Sequence, residues 1–322
     1  MPNAAHAAAR VARARIGWSS LGIAVSLAII AFASFTLFRL LRDIEVDRIV
    51  AALRAVPWRT VMIAICFVGG GYATLTCYDF FALRAIGRRD VPYRIAALAS
   101  CTSYAIGHNL GATVFTAGAV RFRVYSAWGL GVLEIAKIAF ITGLTFWLGN
   151  TVMLGIGIAY APDVASNVNM LPSWANRAAA LTALAVIGGY LMWLLPRPRA
   201  IGRANWNVTL PGARLTLVQI VIGILDLGCG ALAIYTLLPA TPSVDLVTVV
   251  VTFVIATLLG FLSHAPGSLG VLEAAMLIGL PQYEKEALLA SLLIFRLLYF
   301  VLPLLVAIVA LALLEARRLR QA

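Results

Sequence analysis

Residues 246–273 read LVTVVVTFVIATLLGFLSHAPGSLGVLE. The first seventeen carry no charge, and at a rise of ~1.5 Å per residue they are about long enough to span a ~30 Å hydrocarbon layer as a helix. The run then breaks at Ser263-His264-Ala265-Pro266-Gly267 and resumes towards the acid Glu273. Proline and glycine release the backbone from helical hydrogen bonding, and irregular backbone at membrane depth persists only where protein or a water-filled cavity surrounds it. This stretch therefore predicts a helical membrane protein with an interruption inside it.

Similar apolar runs lie at 18–38, 60–83, 131–159, 178–195, 215–238, 246–262 and 286–314. Over the 322 residues, 62% are hydrophobic and 12% charged, against about a quarter charged in soluble domains. The expected fold is an all-α integral membrane protein: a polytopic bundle of about eight transmembrane helices, one domain over 1–322, with broken or re-entrant segments at 95–120 and 263–280. In this reading 95–120 dips in and returns, whereas 264–280 crosses as a short segment. The 18–38 run follows Arg10, Arg13 and Arg15, but no small-residue cleavage site succeeds it, so it reads as a retained span. Residues 41–57 place Ile44, Ile49, Leu53 and Val56 near one helical face, the pattern of an interfacial amphipathic helix.

Arginines cluster after the second run (Arg84, Arg88, Arg89, Arg94), before 215 (Arg197, Arg199, Arg203, Arg214) and at the end of the sequence (Arg317, Arg318, Arg320). The loops 161–175 and 239–245 have no basic residue. The positive-inside rule then places both termini in the cytoplasm. The basic residues of 39–59 fit this arrangement poorly. The net charge of +12 follows from these loops and from anionic lipid contact. Nucleic acid is not an expected partner, because no soluble basic and aromatic module is present.

Cys66, Cys77, Cys101 and Cys229 sit in apolar runs without CxxC spacing and read as small hydrophobes. His108 and His264 lack a third ligand at metal-site spacing, so neither metal nor cofactor is expected. The phosphate-loop, HExxH and GxSxG patterns are absent, which argues against an enzyme and against ATP-driven transport by this chain alone.

The second broken segment, 95–120, reads IAALASCTSYAIGHNLGATVFTAGAV, with Gly107, His108, Asn109 and Gly111 at its centre. The other break carries His264, Pro266, Gly267 and Gly270. Paired interruptions in the two halves of a chain mark the binding region of repeat-built transporters, where half-helix N-termini meet anions; close packing of small residues is the competing explanation. Asp79, Glu134, Lys137, Asp226, Glu273 and Arg296 lie in or at the edges of apolar runs, where each unpaired charge costs about 2.5–3.5 kcal/mol on insertion scales. Glu134 and Lys137, at i and i+3, are placed to pair locally. Asp79, Glu273 and Arg296 need partners from another helix or a ligand. Asp226 is open between a hydrogen-bonded structural role and a cavity role. Arg121 and Arg123 suit a lipid phosphate, which guanidinium can grip with paired hydrogen bonds.

Tyr78-Asp79, Ser103-Tyr104-Ala105-Ile106-Gly107-His108-Asn109, Arg121-Phe122-Arg123-Val124-Tyr125, Glu134-Ile135-Ala136-Lys137 and Pro266-Gly267-Ser268-Leu269-Gly270-Val271-Leu272-Glu273 together resemble the membrane region of the lysylphosphatidylglycerol synthase/flippase family, the multiple peptide resistance factors. The resemblance runs over most of the chain and implies an inner-membrane translocase for phosphatidylglycerol-type or aminoacyl-phosphatidylglycerol lipids that blunts cationic antimicrobial peptides. It also implies a short form, without the family's soluble synthase domain and second set of helices. In that role Arg121 and Arg123 hold the lipid phosphate, and Asp79, Glu134 and Glu273 meet the headgroup ammonium. Arg296 neutralises the acids when the site is empty. Expected partners are an anionic or aminoacylated phospholipid, a separate synthase or transferase, and a second copy of the chain. The alternative is a non-transporting membrane partner that binds lipid and docks a separate aminoacyl- or glycosyl-transferase.

Overall fold

The computed structural model describes residues 45–319, apart from 112, 196–198, 204 and 205, together with Phe35 and Phe38. The expected first span and residues 41–44 of the amphipathic segment lie outside these, apart from the two phenylalanines.

The described chain forms α1 (Val46–Ala55), α2 (Trp58–Ala85), α3 (Tyr93–Leu110), α4 (Thr113–Tyr125), α5 (Val132–Tyr160), α6 (Pro162–Asn169) and α7 (Ser173–Leu194). A two-stranded antiparallel hairpin follows, β1 (Ala200–Arg203) and β2 (Trp206–Thr209), with Ala200 opposite Thr209. The remainder is α8 (Ala213–Leu237), α9 (Leu246–Ser263), α10 (Val271–Gly279), α11 (Lys285–Arg296) and α12 (Leu302–Leu319), the last two continuous through a π turn at Leu297–Val301. Among the described residues, six helical segments are long and apolar enough to cross a membrane: α2, α5, α7, α8, α9 and Lys285–Ala316. They coincide with the six described apolar runs, and the chain is a multi-pass helical membrane protein.

The short helices pair with long ones as hairpins. α4 has 13 residues and α10 nine, about 20 Å and 14 Å of rise, too short for a ~30 Å layer. α3 turns back into α4 at Gly111, and a Cβ on Gly107 would lie 3.0 Å from the Thr113 side chain. α9 runs inward until Phe261 packs on Phe146 and Trp147, ring centroids 5.5 and 5.9 Å apart, half-way along α5. The chain then reverses and α10 returns beside α9, with Gly279 against Thr252. This corrects the expectation that 264–280 crosses: α10 leaves by the end at which α9 entered, because the helix restarting at Val271 is antiparallel to its predecessor.

Each reversal rests on backbone that ordinary residues rarely adopt. Gly111 has φ +72°, and His264 and Ser268 take φ +54° and +51°. Left-handed conformations in non-glycine residues are uncommon and persist where their surroundings determine them. Here the surroundings are the other reversal: a Cβ on Gly111 would sit 2.6 Å from the His264 carbonyl oxygen and 3.2 Å from Pro266 N.

Three apolar layers surround this meeting point. Ile234, Phe253, Met276, Leu288 and Phe295 fill one end, with Ile49 of α1 and Val56 just after it packed against it. Leu83, Ala96, Tyr125 and Ile138 fill the other, and Leu75, Tyr78, Tyr104 and Ile222 lie between. α5 and α8 cross backbone to backbone: a Cβ on Gly149 would lie 2.5 Å from Gly223 Cα. Gly149→Ala is therefore expected to destabilise the purified protein by about 1–3 kcal/mol through overpacking. Gly143→Ala, with nothing within 4 Å of the new Cβ, should melt as the wild type; thermal unfolding in detergent compares them.

Candidate functional site

The two reversals enter from opposite ends and touch, and each is braced by a buried or half-buried ion pair. Asp79 on α2 is 0% exposed and Arg121 on α4 is 4% exposed. Arg121 donates from Nη2 to Asp79 Oδ1 at 2.8 Å and from Nε to Oδ2 at 3.0 Å, while the Tyr125 hydroxyl donates to Oδ2 at 2.8 Å. The guanidinium also lies 5.3 Å over the Tyr104 ring. Such bidentate geometry fits the planar fork of arginine and is lost with lysine.

The second brace lies on α10 and α11. Arg296 donates from Nε to Glu273 Oε1 at 2.8 Å, pairs with the same oxygen through Nη2, and donates from Nη1 to the Gly267 carbonyl at 2.7 Å. Glu273 also accepts from the Gly270 N–H at 2.8 Å, capping its own helix. Glu134 repeats the motif on α5: it accepts from the Gly131 N–H at 2.9 Å and from Arg88 Nη1 at 3.0 Å.

The pairing of Asp79, Glu273 and Arg296 with other helices is one of the two alternatives expected for them, and other expectations change. Asp79 and Glu273 meet arginines of neighbouring helices, which supply the charge compensation that an ammonium would. Glu134 does not pair with Lys137, because its carboxylate turns back to the helix start and to Arg88; among the described residues Lys137 makes no ion pair. Arg121 and Arg123 do not form one phosphate clamp, since Arg121 points into the bundle and Arg123 pairs with Glu315 of α12. Gly270 does not offer a free N–H to an anion, because Glu273 occupies it.

Arg88, a loop charge by its place in the sequence, also binds Asp90 and donates to the Trp128 carbonyl at 2.7 Å. Nothing in the local sequence distinguishes it from Arg89; its role comes from the Gly87 turn and the distant Glu134. The Arg88 hydrogen bond holds the Asp90 carboxyl below its usual range. This contribution is complete above the ordinary carboxylate range and is lost as pH falls through the lowered value.

At the meeting point Asn109 Nδ2 donates to the Ala105 carbonyl at 2.7 Å and to Phe300 O in the π turn at 3.0 Å. π turns release carbonyls that a side chain can then satisfy. Beside them is a cavity of about 60 Å³ lined by Tyr104, His108, Gly111, Asp226, His264 and Tyr299 among others. Next to it a space of about 90 Å³ shares Tyr104, His108, Thr113, Phe146 and Phe261 with it and has Arg121 in its lining. That space shares Val114, Ala139, Gly143 and Trp147 with a groove of about 1050 Å³ between α4 and α5. The groove is apolar, walled by Phe115, Phe122 and Phe140, and faces outward. Asp226 Oδ2 accepts from Tyr78 at 3.1 Å, whereas its Oδ1 is buried and has no hydrogen-bond partner.

No family model matches the chain. Two relatives do: the uncharacterized protein slr0712 of Synechocystis sp. is 30% identical over 236 residues, 72% of each chain. The inner membrane protein YbhN of Escherichia coli is 29% identical over 267 residues, 80% of this chain and 81% of YbhN. The chain belongs to the membrane-protein family of these two. The family and the six apolar segments agree on a membrane protein, with YbhN placing a relative in the inner membrane. Neither relative's name assigns a transported molecule.

Breaking one side of a buried pair typically costs 3–5 kcal/mol, because the other charge stays buried alone, whereas replacing both by apolar groups is often neutral. Asp79→Asn should therefore destabilise the protein by about 3–5 kcal/mol in detergent unfolding. The double variant Asp79→Leu/Arg121→Met should recover most of that loss.

Proposed function

We propose that the chain is a non-enzymatic lipid translocase of the inner membrane. It moves the headgroup of a phosphatidylglycerol-type or aminoacyl-phosphatidylglycerol lipid between leaflets, and so alters the surface charge seen by cationic antimicrobial peptides. The observation that carries this reading is the succession of an outward-facing apolar groove, a smaller space lined by Arg121 and the cavity where the two reversals meet, each sharing lining residues with the next. A groove of about 1050 Å³ is at the top of the ~300–1000 Å³ range of small-molecule sites and has the lining that an acyl chain needs. The headgroup enters the narrower polar space sideways. In the Asp79 pair Arg121 uses Nε and Nη2, and charge-assisted bonds from guanidinium suit a phosphate oxygen.

Sidedness follows from charge. Arg84, Arg88, Arg89 and Arg94 stand at the base of the α3–α4 hairpin, so that hairpin and the groove mouth beside Val132 belong to the cytoplasmic side, with both termini there. Arg48 at the opposite end is offset by Glu45, its partner at 2.8 Å. The resemblance to the lysylphosphatidylglycerol flippases supports the same substrate class.

The test is transfer of labelled phosphatidylglycerol and lysylphosphatidylglycerol across vesicles holding the purified full chain. Gly118 lines the groove and has nothing within 4 Å of a new Cβ, so Gly118→Phe should fill the groove without altering folding. Transfer is expected to fall at least about tenfold, a barrier change of about 1.4 kcal/mol, with the melting temperature unchanged. Absence of transfer by the wild type would instead support a lipid-binding partner that docks a separate transferase.

A further inference from the structure

The described carboxylates buried within the bundle fall into two kinds. Asp79 and Glu273 each face an arginine, but Asp226, 6% exposed in the middle of α8, faces none. The groups packed around it are phenols and a thiol. α2 presents Tyr72 and Tyr78, the π turn Tyr299, and α8 itself Cys229. α3 brings Tyr104 and His108, and the reversal after α9 brings His264, all lining the same cavity. One hydrogen bond, from Tyr78, reaches its Oδ2, and Oδ1 has no partner.

A carboxylate buried without a cation costs several kcal/mol. The compensations available are a cation, a set of donors, or a proton. Among the described residues no cation pairs with Asp226, and one donor is fewer than the two or three that stabilise a buried carboxylate by hydrogen bonding. The cavity, at about 60 Å³, is large enough to admit water. We propose that the central cavity is a proton-binding site: Asp226 takes up and releases a single proton, with His108 and His264 as the groups through which it exchanges. No bond other than O–H or N–H is made or broken, and the proton comes from and returns to water on either side of the membrane. On the lipid-translocase reading, on which this consequence rests, lipid movement through the adjoining passage is coupled to proton movement. The cavity shares Tyr104 and His108 with the space beside Arg121, so the charge on Asp226 and the occupancy of that space act on the same side chains.

The proton site can be read without any transport. In pH-difference infrared spectra of the full chain in phosphatidylglycerol and phosphatidylethanolamine vesicles, the wild type should show the carbonyl band of a protonated carboxylic acid growing as pH falls. Asp226→Asn should lack it. Tyr78→Phe, which removes the hydrogen bond on Oδ2 and keeps the ring, should displace it, and this variant decides the matter if the Asn variant fails to fold. A wild type without the band, or a band unchanged in the variants, overturns the proposal. In the same vesicles a pH gradient should speed labelled-lipid transfer several-fold in one direction in the wild type and not in Asp226→Asn. Wild-type transfer indifferent to the gradient overturns the coupling and leaves the lipid reading standing. Transfer absent under every condition overturns the lipid reading, and the infrared band then decides the proton site alone.

Discussion

The structure depends on one contact, the approach of the Gly111 backbone to the carbonyl of His264 and the nitrogen of Pro266. Each hairpin ends in backbone that cannot complete a helical ladder, and in lipid such backbone would be unsatisfied. Placed alone at the middle of a bilayer, either reversal would be untenable. Placed against each other and under the π turn, their polar groups find partners: Asn109 serves Phe300 O, Arg296 serves Gly267 O, and Glu273 serves Gly270 N. Glycine at 111 is what permits the approach, since any side chain there would occupy the position of the opposing carbonyl.

The ion pairs follow from that geometry. Each hairpin holds one helix too short to cross, and a short helix is anchored poorly by apolar burial alone. The Asp79 pair fixes α4 to α2, and the Glu273 pair fixes α10 to α11, so the charges are spent on holding the reversals in place. Asp226 differs in kind. It lies on a full-length helix, meets no arginine, and borders the cavity left where the tips do not fill space.

Much of this was legible in the chain. The apolar runs located the long helices, and the Gly-His-Asn and Pro-Gly interruptions located both reversals, because glycine and proline act on the backbone locally. The partners of Asp79, Glu273 and Arg296 were legible only as a requirement for pairing between helices. Which arginine met which acid depends on contacts between residues 23 to 42 positions apart, and no local pattern carries that. The Glu134 and Lys137 spacing suggested a pair, but position three of a helix opened by glycine gives a carboxylate closer donors in the exposed N–H groups. The π turn left no mark in an uninterrupted apolar run, and the reversal of α10 was hidden because an apolar stretch after a break reads equally as a crossing or a return.

The crossing of α5 and α8 at Gly149 and Gly223 makes the bundle a lever. Two helices in backbone contact at one point can tilt about it but cannot approach further. Val132 lies 17 residues from that fulcrum, about 26 Å along α5 at ~1.5 Å per residue. A tilt of about 5° would carry the Val132 end of the groove by about 2 Å on this rise while leaving the fulcrum still. Width at the groove mouth is thus set by rotation about a point buried far from it.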